Sequence, residues 1–385
     1  MPHDLSAVEC NIEAAHGLPN PFYLSHELFR AERTSSFSPN WTAIGFGKDV
    51  AQPGDAHPVN FMGLPLLMVR DKEGRVRVYN NVCRHRGMIL VDKPTRMSGV
   101  IRCPYHSWCY DLNGKLRSTP HVGGPSINAH EAVKRDELGL KEVRSHVWFD
   151  IVFVNISGTA PAFEAYAGTL IARWSEYQQP LHHGGADSSF KLDLKANWKL
   201  GVDNYCESYH LPWVHPGLSS YSRLEDHYTI VSDGEFSGQG TLVYNPVLDP
   251  SGREFARFSG LDAKWDRAAE YVALYPNVLL GVHKDHFFAV ILEPRAPGHT
   301  VEHAEIYYAD EAMLRDEWAS MRMKNTGLWK AVFEEDISVC EGMQRGRASE
   351  SFDGGRFSPI MDGGVHCFHK WVAKNMSSEG TATSS

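Results

Sequence analysis

No apolar run in the 385-residue sequence is long enough to cross a membrane. The longest candidate, VWFDIVFVNI at 147–156, has the length of a buried strand. The first residues lack the basic-then-apolar layout of a secretory leader. No Gly-rich nucleotide fingerprint occurs, so the chain has no evident means of binding a nicotinamide cofactor itself. No internal repeat is visible, and an excess of positive charge is also missing: 38 Lys and Arg stand against 47 Asp and Glu, a formal net charge of −9, which implies no nucleic-acid groove. Cysteines are few. The seven (10, 83, 103, 109, 206, 340 and 367) form an odd, scattered set, which argues against a disulfide framework and for a reducing compartment, the cytoplasm. Some of these thiols are then metal ligands and the rest small core residues.

Two of them sit in a conspicuous pattern. NNVCRHRGMIL carries Cys83 and His85, and CPYHSWCYDLNG carries Cys103 and His106, with seventeen residues between the pairs. Two thiolates and two imidazoles in a pair of short loops suit either zinc or a [2Fe–2S] cluster. A Cys2His2 zinc site normally runs Cys, Cys, His, His. Here the order alternates, giving each loop one ligand for each iron of a Rieske centre, where two histidines replace two cysteines on one iron. Such a cluster is an electron donor and needs something to reduce.

The stretch NWKLGVDNYCESYHLPWVHPGL (197–218) offers the acceptor. Glu207, His210 and His215 stand in the pattern E-x-x-H-x4-H. Residues three apart on a helix share a face, which makes Glu207 and His210 neighbours. His210 and His215 would be about 140° out of register on a regular helix. Pro212 predicts a break there that lets His215 swing back toward His210. A third ligand is found in AVFEEDISVCEGMQRG. Its apolar stripe runs Phe333, Ile337, Cys340 and Met343, and Asp336 lies on that face while Glu334 and Glu335 lie off its centre. An inward carboxylate is expensive unless paired or metal-bound. A buried ion pair to an arginine is the competing reading. Two histidines and one carboxylate form the facial triad of non-haem Fe(II) oxygenases.

The length suggests two domains. Short strands and turns from Trp41 to about Gly124 predict a small all-β unit, with a hairpin closed by a two-residue Asn113-Gly114 turn. FKLDLKANWKL, YVALYPNVLLGVH, DHFFAVILEPRA and VEHAEIYYAD predict antiparallel strands. A helical pattern spans about 311–348, and GVHCFHKWVAKNM predicts a closing helix. The expected division is a segment 1–40 packing on the catalytic domain, a [2Fe–2S] domain at 41–150, a catalytic domain at 151–376 and a disordered polar tail at 377–385.

Taken together, the two cluster loops, the Asn197-Trp198-Lys199 entry, the E-x-x-H-x4-H run and the pattern Glu335, Asp336, Glu341, Gln344 resemble the terminal oxygenase (alpha) component of the Rieske non-haem iron oxygenases. The resemblance implies an α+β chain: a Rieske domain followed by a helix-grip domain, in which an antiparallel sheet grips a long helix. It implies that Cys83 and Cys103 hold one iron of the cluster, that His85 and His106 hold the other, and that His210, His215 and Asp336 hold a mononuclear Fe(II). Where respiratory Rieske proteins carry an extra disulfide-forming cysteine in each loop, this chain has Met88 and Tyr105. Family members are usually trimers in which a carboxylate bridges the cluster of one subunit to the iron of the next, and Glu207 matches that position. Its glutamate looks like the branch acting on quaternary ammonium compounds such as carnitine, glycine betaine and stachydrine, and implies O2-dependent hydroxylation, N-demethylation or C–N cleavage. A flavin and iron–sulfur reductase would supply electrons from NAD(P)H. A cationic substrate favours aromatic faces, for which Tyr205, Trp213, Phe287 and Phe288 are the candidates. Aromatic-ring dioxygenation or O-demethylation, and a non-enzymatic electron-transfer or ligand-binding protein, are the other readings.

Overall fold

The computed structural model describes residues 4–377, so the tail expected at 377–385 lies outside the described residues apart from Ser377. The chain forms two compact units. One is Trp41–Thr159, and the other joins the segment before Trp41 to everything from Ala160 onward.

The first unit is all-β. Its strands are β1 (Thr42–Phe46), β2 (Asp55–Phe61), β3 (Leu64–Arg70), β4 (Val76–Asn80), β5 (Thr95–Arg96), β6 (Val100–Arg102), β7 (Cys109–Asp111), β8 (Leu116–Ser118), β9 (Glu142–Trp148) and β10 (Ile151–Asn155). Seven form a sheet in the order β1-β10-β9-β4-β3-β2-β5, and β6-β7-β8 form a second, smaller one. Leu67, Val69, Tyr79, Ile101, Trp108 and Tyr110 belong to the buried core that supports the loops between β4 and β8.

Two expectations are corrected here. The boundary placed at 150/151 cuts a hairpin, because the run at 147–156 is two strands and not one: Ile151 pairs with Trp148, and β10 pairs with β1 on its other edge. Phe149 and Asp150, with φ of 49° and 61°, make the turn, and a positive φ at both central residues matches the twist of a two-residue hairpin. The turn expected at Asn113-Gly114 is longer than two residues. Asp111 captures the amides of Asn113 and Lys115 with its side chain, while its carbonyl accepts from Gly114. Gly114 has φ 78°, and a Cβ there would lie 2.8 Å from the Tyr79 ring.

The second unit contains β11 (His182–His183), β12 (Ser189–Leu194), β13 (His227–Ser232), β14 (Phe236–Thr241), β15 (Ala269–Leu274), β16 (Val278–Val282), β17 (His286–Ala296) and β18 (His299–Tyr308). The sheet is antiparallel in the order β11-β18-β17-β16-β15-β14-β13, with β12 also pairing to β18. The helix Ala319–Gly346 and the closing helix Gly363–Ser377 complete the α+β unit. Strands β13 and β14 had no counterpart in the sequence reading, because β14 (FSGQGT) has no apolar alternation. Its glycines answer a spatial need: a Cβ on Gly240 would fall 2.3 Å from the Tyr228 ring.

The segment before Trp41 is tied into this unit by buried polar contacts. Glu32 pairs with Lys199, both side chains fully buried, and also accepts from the Trp198 indole at 2.9 Å. The Leu18 amide donates to His369 Nδ1 at 3.0 Å, and Arg347 donates to the Leu18 carbonyl.

Candidate metal centres and the adjoining pocket

In the first unit, the two loops have the same frame. The Cys83 amide donates to the Met88 carbonyl and the Cys103 amide to the Trp108 carbonyl, both at 2.8 Å. The fifth residue of each loop, Gly87 or Ser107, has positive φ and returns an amide to the cysteine carbonyl. The turns bury both thiols, at 2% and 1% exposure, while His85 is exposed and His106 half-buried. The imidazole rings lie 4.7 Å apart, and His85 stacks on Trp108 at 4.6 Å. Burial raises the Tyr110 pKa, so its phenol keeps its proton beside Cys83 Sγ at 3.3 Å. His106 Nδ1 is buried without a partner. An orphaned imidazole nitrogen beside two buried thiols fits a cluster ligand set, and Met88 and Tyr105 leave no disulfide between the loops.

In the second unit, Asn197 caps the helix Trp198–Tyr205 by accepting from Lys199 N. The long helix holds this entry in place: Glu341 accepts from the Lys195 amide and Gln344 from the Asn197 amide. The helix then ends at Cys206, before Pro212 and not at it. Pro212 opens a new short helix, Leu211–Val214, where its missing N–H would have had no partner anyway. His215 follows with φ −119°. The predicted meeting of His210 and His215 therefore occurs, but through a turn capped by Glu207, whose carboxylate accepts from the Tyr209 and His210 amides.

The donor atoms converge. His210 Nε2 and His215 Nε2 are 3.2 Å apart, and Asp336 Oδ1 lies 3.6 and 3.0 Å from them. Each imidazole engages a carboxylate through its other nitrogen: His210 Nδ1 with Glu207 Oε1 at 2.5 Å, and His215 Nδ1 with Glu335 Oε2 at 2.7 Å. Carboxylates accept and do not donate, so each neutral ring carries its proton on Nδ1 and turns a lone pair inward at Nε2. The short Nε2–Nε2 approach is therefore two lone pairs face to face, and not a hydrogen bond. Asp336 Oδ1 is buried without a hydrogen-bond partner, although both imidazoles are close. Three electron-rich atoms with no proton among them call for a cation, and the set fits a two-histidine, one-carboxylate iron centre. Burial alone would lower the His215 pKa, but Asp336 and Glu335 outweigh it and raise it; a metal ion takes the place of that proton. The competing arginine pair for Asp336 is not what the side chain faces. Glu335, placed off the stripe's centre by the sequence, is the residue that reading missed.

A cleft opens beside these three atoms. Tyr205, Tyr271, Trp329 and Phe333 are aromatic residues of its lining, and Ser222, His227 and Gln239 are polar ones. Gln239 Nε2 donates to the Glu207 carbonyl, which leaves its Oε1 to accept from His227 Nδ1 at 2.7 Å. Burial lowers the His227 pKa, which keeps that ring neutral. Of the aromatic candidates, Tyr205 alone lines the cleft. Trp213 is 80% exposed, because the turn carrying His210 and His215 inward directs it to the surface. Phe287 is buried against Tyr307, and Phe288 packs behind the lining at 4.5 Å from Trp329. Strand alternation and helical spacing carry Tyr271 and Trp329 to the cleft, but neither has a local sequence signal.

The family model for the catalytic domain of the ring hydroxylating alpha subunit matches residues 181–378, and that for the Rieske [2Fe–2S] domain matches residues 40–134. The chain belongs to the ring-hydroxylating alpha-subunit family. As a Rieske oxygenase alpha subunit it is an oxidoreductase of the kind that carries a [2Fe–2S] cluster and a mononuclear iron. This alpha subunit is 27% identical to the carnitine monooxygenase oxygenase subunit of Acinetobacter pittii, over 97% of this chain and 98% of that protein. It is also 27% identical to the chloroplastic choline monooxygenase of Arabidopsis thaliana, over 95% and 84% of the two chains. A solved quaternary ammonium Rieske monooxygenase shares the fold, with a TM-score of 0.78 at 23% identity over 97% and 99% of the chains. Among the described residues no helix is long and apolar enough to cross a membrane.

Proposed function

We propose that this alpha subunit hydroxylates a C–H bond beside the nitrogen of a small quaternary ammonium compound, with N-demethylation or C–N cleavage following. The observation that carries this reading is the aromatic box of Tyr205, Tyr271, Trp329 and Phe333 directly beside His210, His215 and Asp336. Aromatic faces bind a desolvated cation through their quadrupoles, worth about 2 kcal/mol or more. The names of the relatives, which act on carnitine and choline, support the same substrate class.

In this reading Cys83, His85, Cys103 and His106 hold the cluster, and His210, His215 and Asp336 hold the iron. An iron held there would supply O2 activation, and a cluster held by the first unit would store the electrons it requires, one at a time. The chain's own groups do the rest. Glu207 and Glu335 fix the tautomers of the two histidines, the box orients the cationic nitrogen, and its apolar walls exclude water. Glu207 also serves as the carboxylate conduit toward the cluster of a neighbouring copy in a homotrimer. Tyr209 and Trp213, 51% and 80% exposed on the same turn, are large side chains that such a neighbour would cover. The cytoplasm suits seven free cysteines.

The test is turnover of the purified enzyme with a flavin and iron–sulfur reductase and NAD(P)H. Carnitine, choline, glycine betaine and a set of aromatic acids are offered, and formaldehyde and product are measured. A quaternary ammonium compound is expected to be consumed. Consumption of aromatic acids with every betaine untouched would replace the reading with ring hydroxylation or O-demethylation. Glu207→Gln, assayed after reloading with iron because it also loosens the His210 ring, should stall transfer between the centres; full activity at full iron content would remove the conduit.

A further inference from the structure

Behind the aromatic box stands a pair of buried histidines with no part in the metal sites. His283 and His286 flank the turn from β16 to β17 and stack face to face, ring centroids 4.1 Å apart and only 4° from parallel. They are 1% and 2% exposed. Each reaches a different wall of the box. His286 Nε2 lies 3.0 Å from the Trp329 indole nitrogen, and His283 Nε2 lies 3.2 Å from the Tyr271 hydroxyl.

The proton positions on His286 are fixed by its partners. An indole N–H can only donate, so His286 Nε2 is the acceptor. Asp285 Oδ1, 2.6 Å from His286 Nδ1, accepts the proton on the other side. Asp285 is itself buried, at 8% exposure. The chain Asp285, His286, Trp329 is thus a directed run of hydrogen bonds ending on a residue of the cleft. Burial and the neighbouring His286 hold the His283 pKa well below its usual value, so the stack is not disrupted by charge repulsion. Elsewhere the Trp329 ring packs against other rings, such as Phe288 at 4.5 Å, His283 at 5.0 Å and Tyr244 stacked at 5.8 Å. Van der Waals packing fixes a plane loosely, whereas a hydrogen bond at one edge fixes its rotation.

We propose that the stacked His283–His286 pair, anchored by Asp285, is a positioning device for substrate selection, holding Trp329 and Tyr271 so that their faces meet the cationic nitrogen. This inference rests on the quaternary ammonium reading and deepens it by naming what sets the geometry of the box. Cation–π attraction is directional, strongest over the ring face, and vanishes toward the edge. Loss of the tether should therefore weaken the cation more than a neutral molecule of equal shape.

The experiment compares choline with 3,3-dimethylbutan-1-ol, in which carbon replaces the charged nitrogen, as competing ligands of the iron-loaded enzyme. Wild type should prefer choline by tenfold or more. His286→Leu should reduce that preference about tenfold while leaving the affinity for the alcohol within about twofold. His286→Gln, whose amide oxygen can accept the indole proton, should restore most of it. His283→Leu should reduce the preference to the same extent as Tyr271→Phe, and combining the two should add nothing. Unaltered cluster absorbance and iron content identify folded variants, and His286→Gln with Tyr271→Phe carries the test where a leucine variant does not fold. Wild type with no preference for choline would overturn the cationic reading and this inference with it. Wild-type preference that survives in the folded variants would overturn the tether alone.

Discussion

Glu335 Oε2 accepts a hydrogen bond from His215 Nδ1 at 2.7 Å, one residue before Asp336 presents its own carboxylate to the same imidazole's other nitrogen. Adjacent acids on one helix turn thus do different work. Glu335→Gln should loosen the His215 ring and its tautomer, reducing iron affinity about 10–100-fold. Chelator competition followed by iron analysis measures it. Glu334→Gln, at an exposed pair with Lys330, should leave iron retention unchanged.

Asp336→Ala removes one of three converging donors. Iron content should fall from about three per chain to about two, with turnover abolished and the visible spectrum of the cluster intact. An unchanged count would show that the iron is held elsewhere.

Tyr110 donates to a cluster thiolate from the buried side of the loop. Hydrogen bonds to the sulfurs stabilise the reduced, more negative state, so Tyr110→Phe should lower the cluster's reduction potential. One such bond of about 1 kcal/mol corresponds to roughly 40 mV for one electron. Redox titration followed by the spectrum of the reduced cluster reads it directly.

The buried Glu32–Lys199 pair is vulnerable to removal of either partner. Lys199→Ala strands a carboxylate at 0% exposure, which costs about 3–5 kcal/mol in comparable cases. Thermal unfolding of the catalytic unit should shift down accordingly, while melting followed at the cluster absorbance should move less.

Glu302 is buried on β18, and burial, followed by the charge of Asp336, pushes its pKa up to about 8. The folded chain therefore binds a proton that the unfolded chain releases near its ordinary carboxylate value. Stability from this group is present at acid pH and is lost as pH rises toward 8. Melting temperature of the iron-free enzyme should decline between pH 5 and 8, and Glu302→Gln should flatten that decline. Identical slopes would show that Glu302 is ionised throughout.

What the sequence made readable follows from how local each feature is. The cluster loops are six-residue turns whose ligand spacing is a property of the turn itself, and Cys83, His85, Cys103 and His106 stand where the spacing put them. Spacing and stripe also single out His210, His215 and Asp336, whose donor atoms do converge, but by another route than the spacing predicts. Pro212 predicts a helix break, whereas the chain from Cys206 to Tyr209 has already left the helix, and Glu207 rather than proline shapes the turn. Trp213 failed as a pocket residue for the same reason: its direction depends on a turn that no periodicity describes. Tyr271 and Trp329 line the cleft from elements 58 residues apart in sequence, and only the packing of the long helix on the sheet joins them. The run at 147–156 looked like one strand because its turn residues, Phe149 and Asp150, include an aromatic where glycine or asparagine is the usual signal.

The anchoring of the segment before Trp41 to Trp198, Lys199, Arg347 and His369 gives the unit an assembly order. During synthesis this segment leaves the ribosome before the cluster domain, yet its partners emerge only after that entire domain has been made. The β-rich insert can fold and recruit its metal while its host is still incomplete. An amino-terminal deletion would therefore damage the iron-binding half, which lies far downstream in the gene, and spare the half encoded beside the cut.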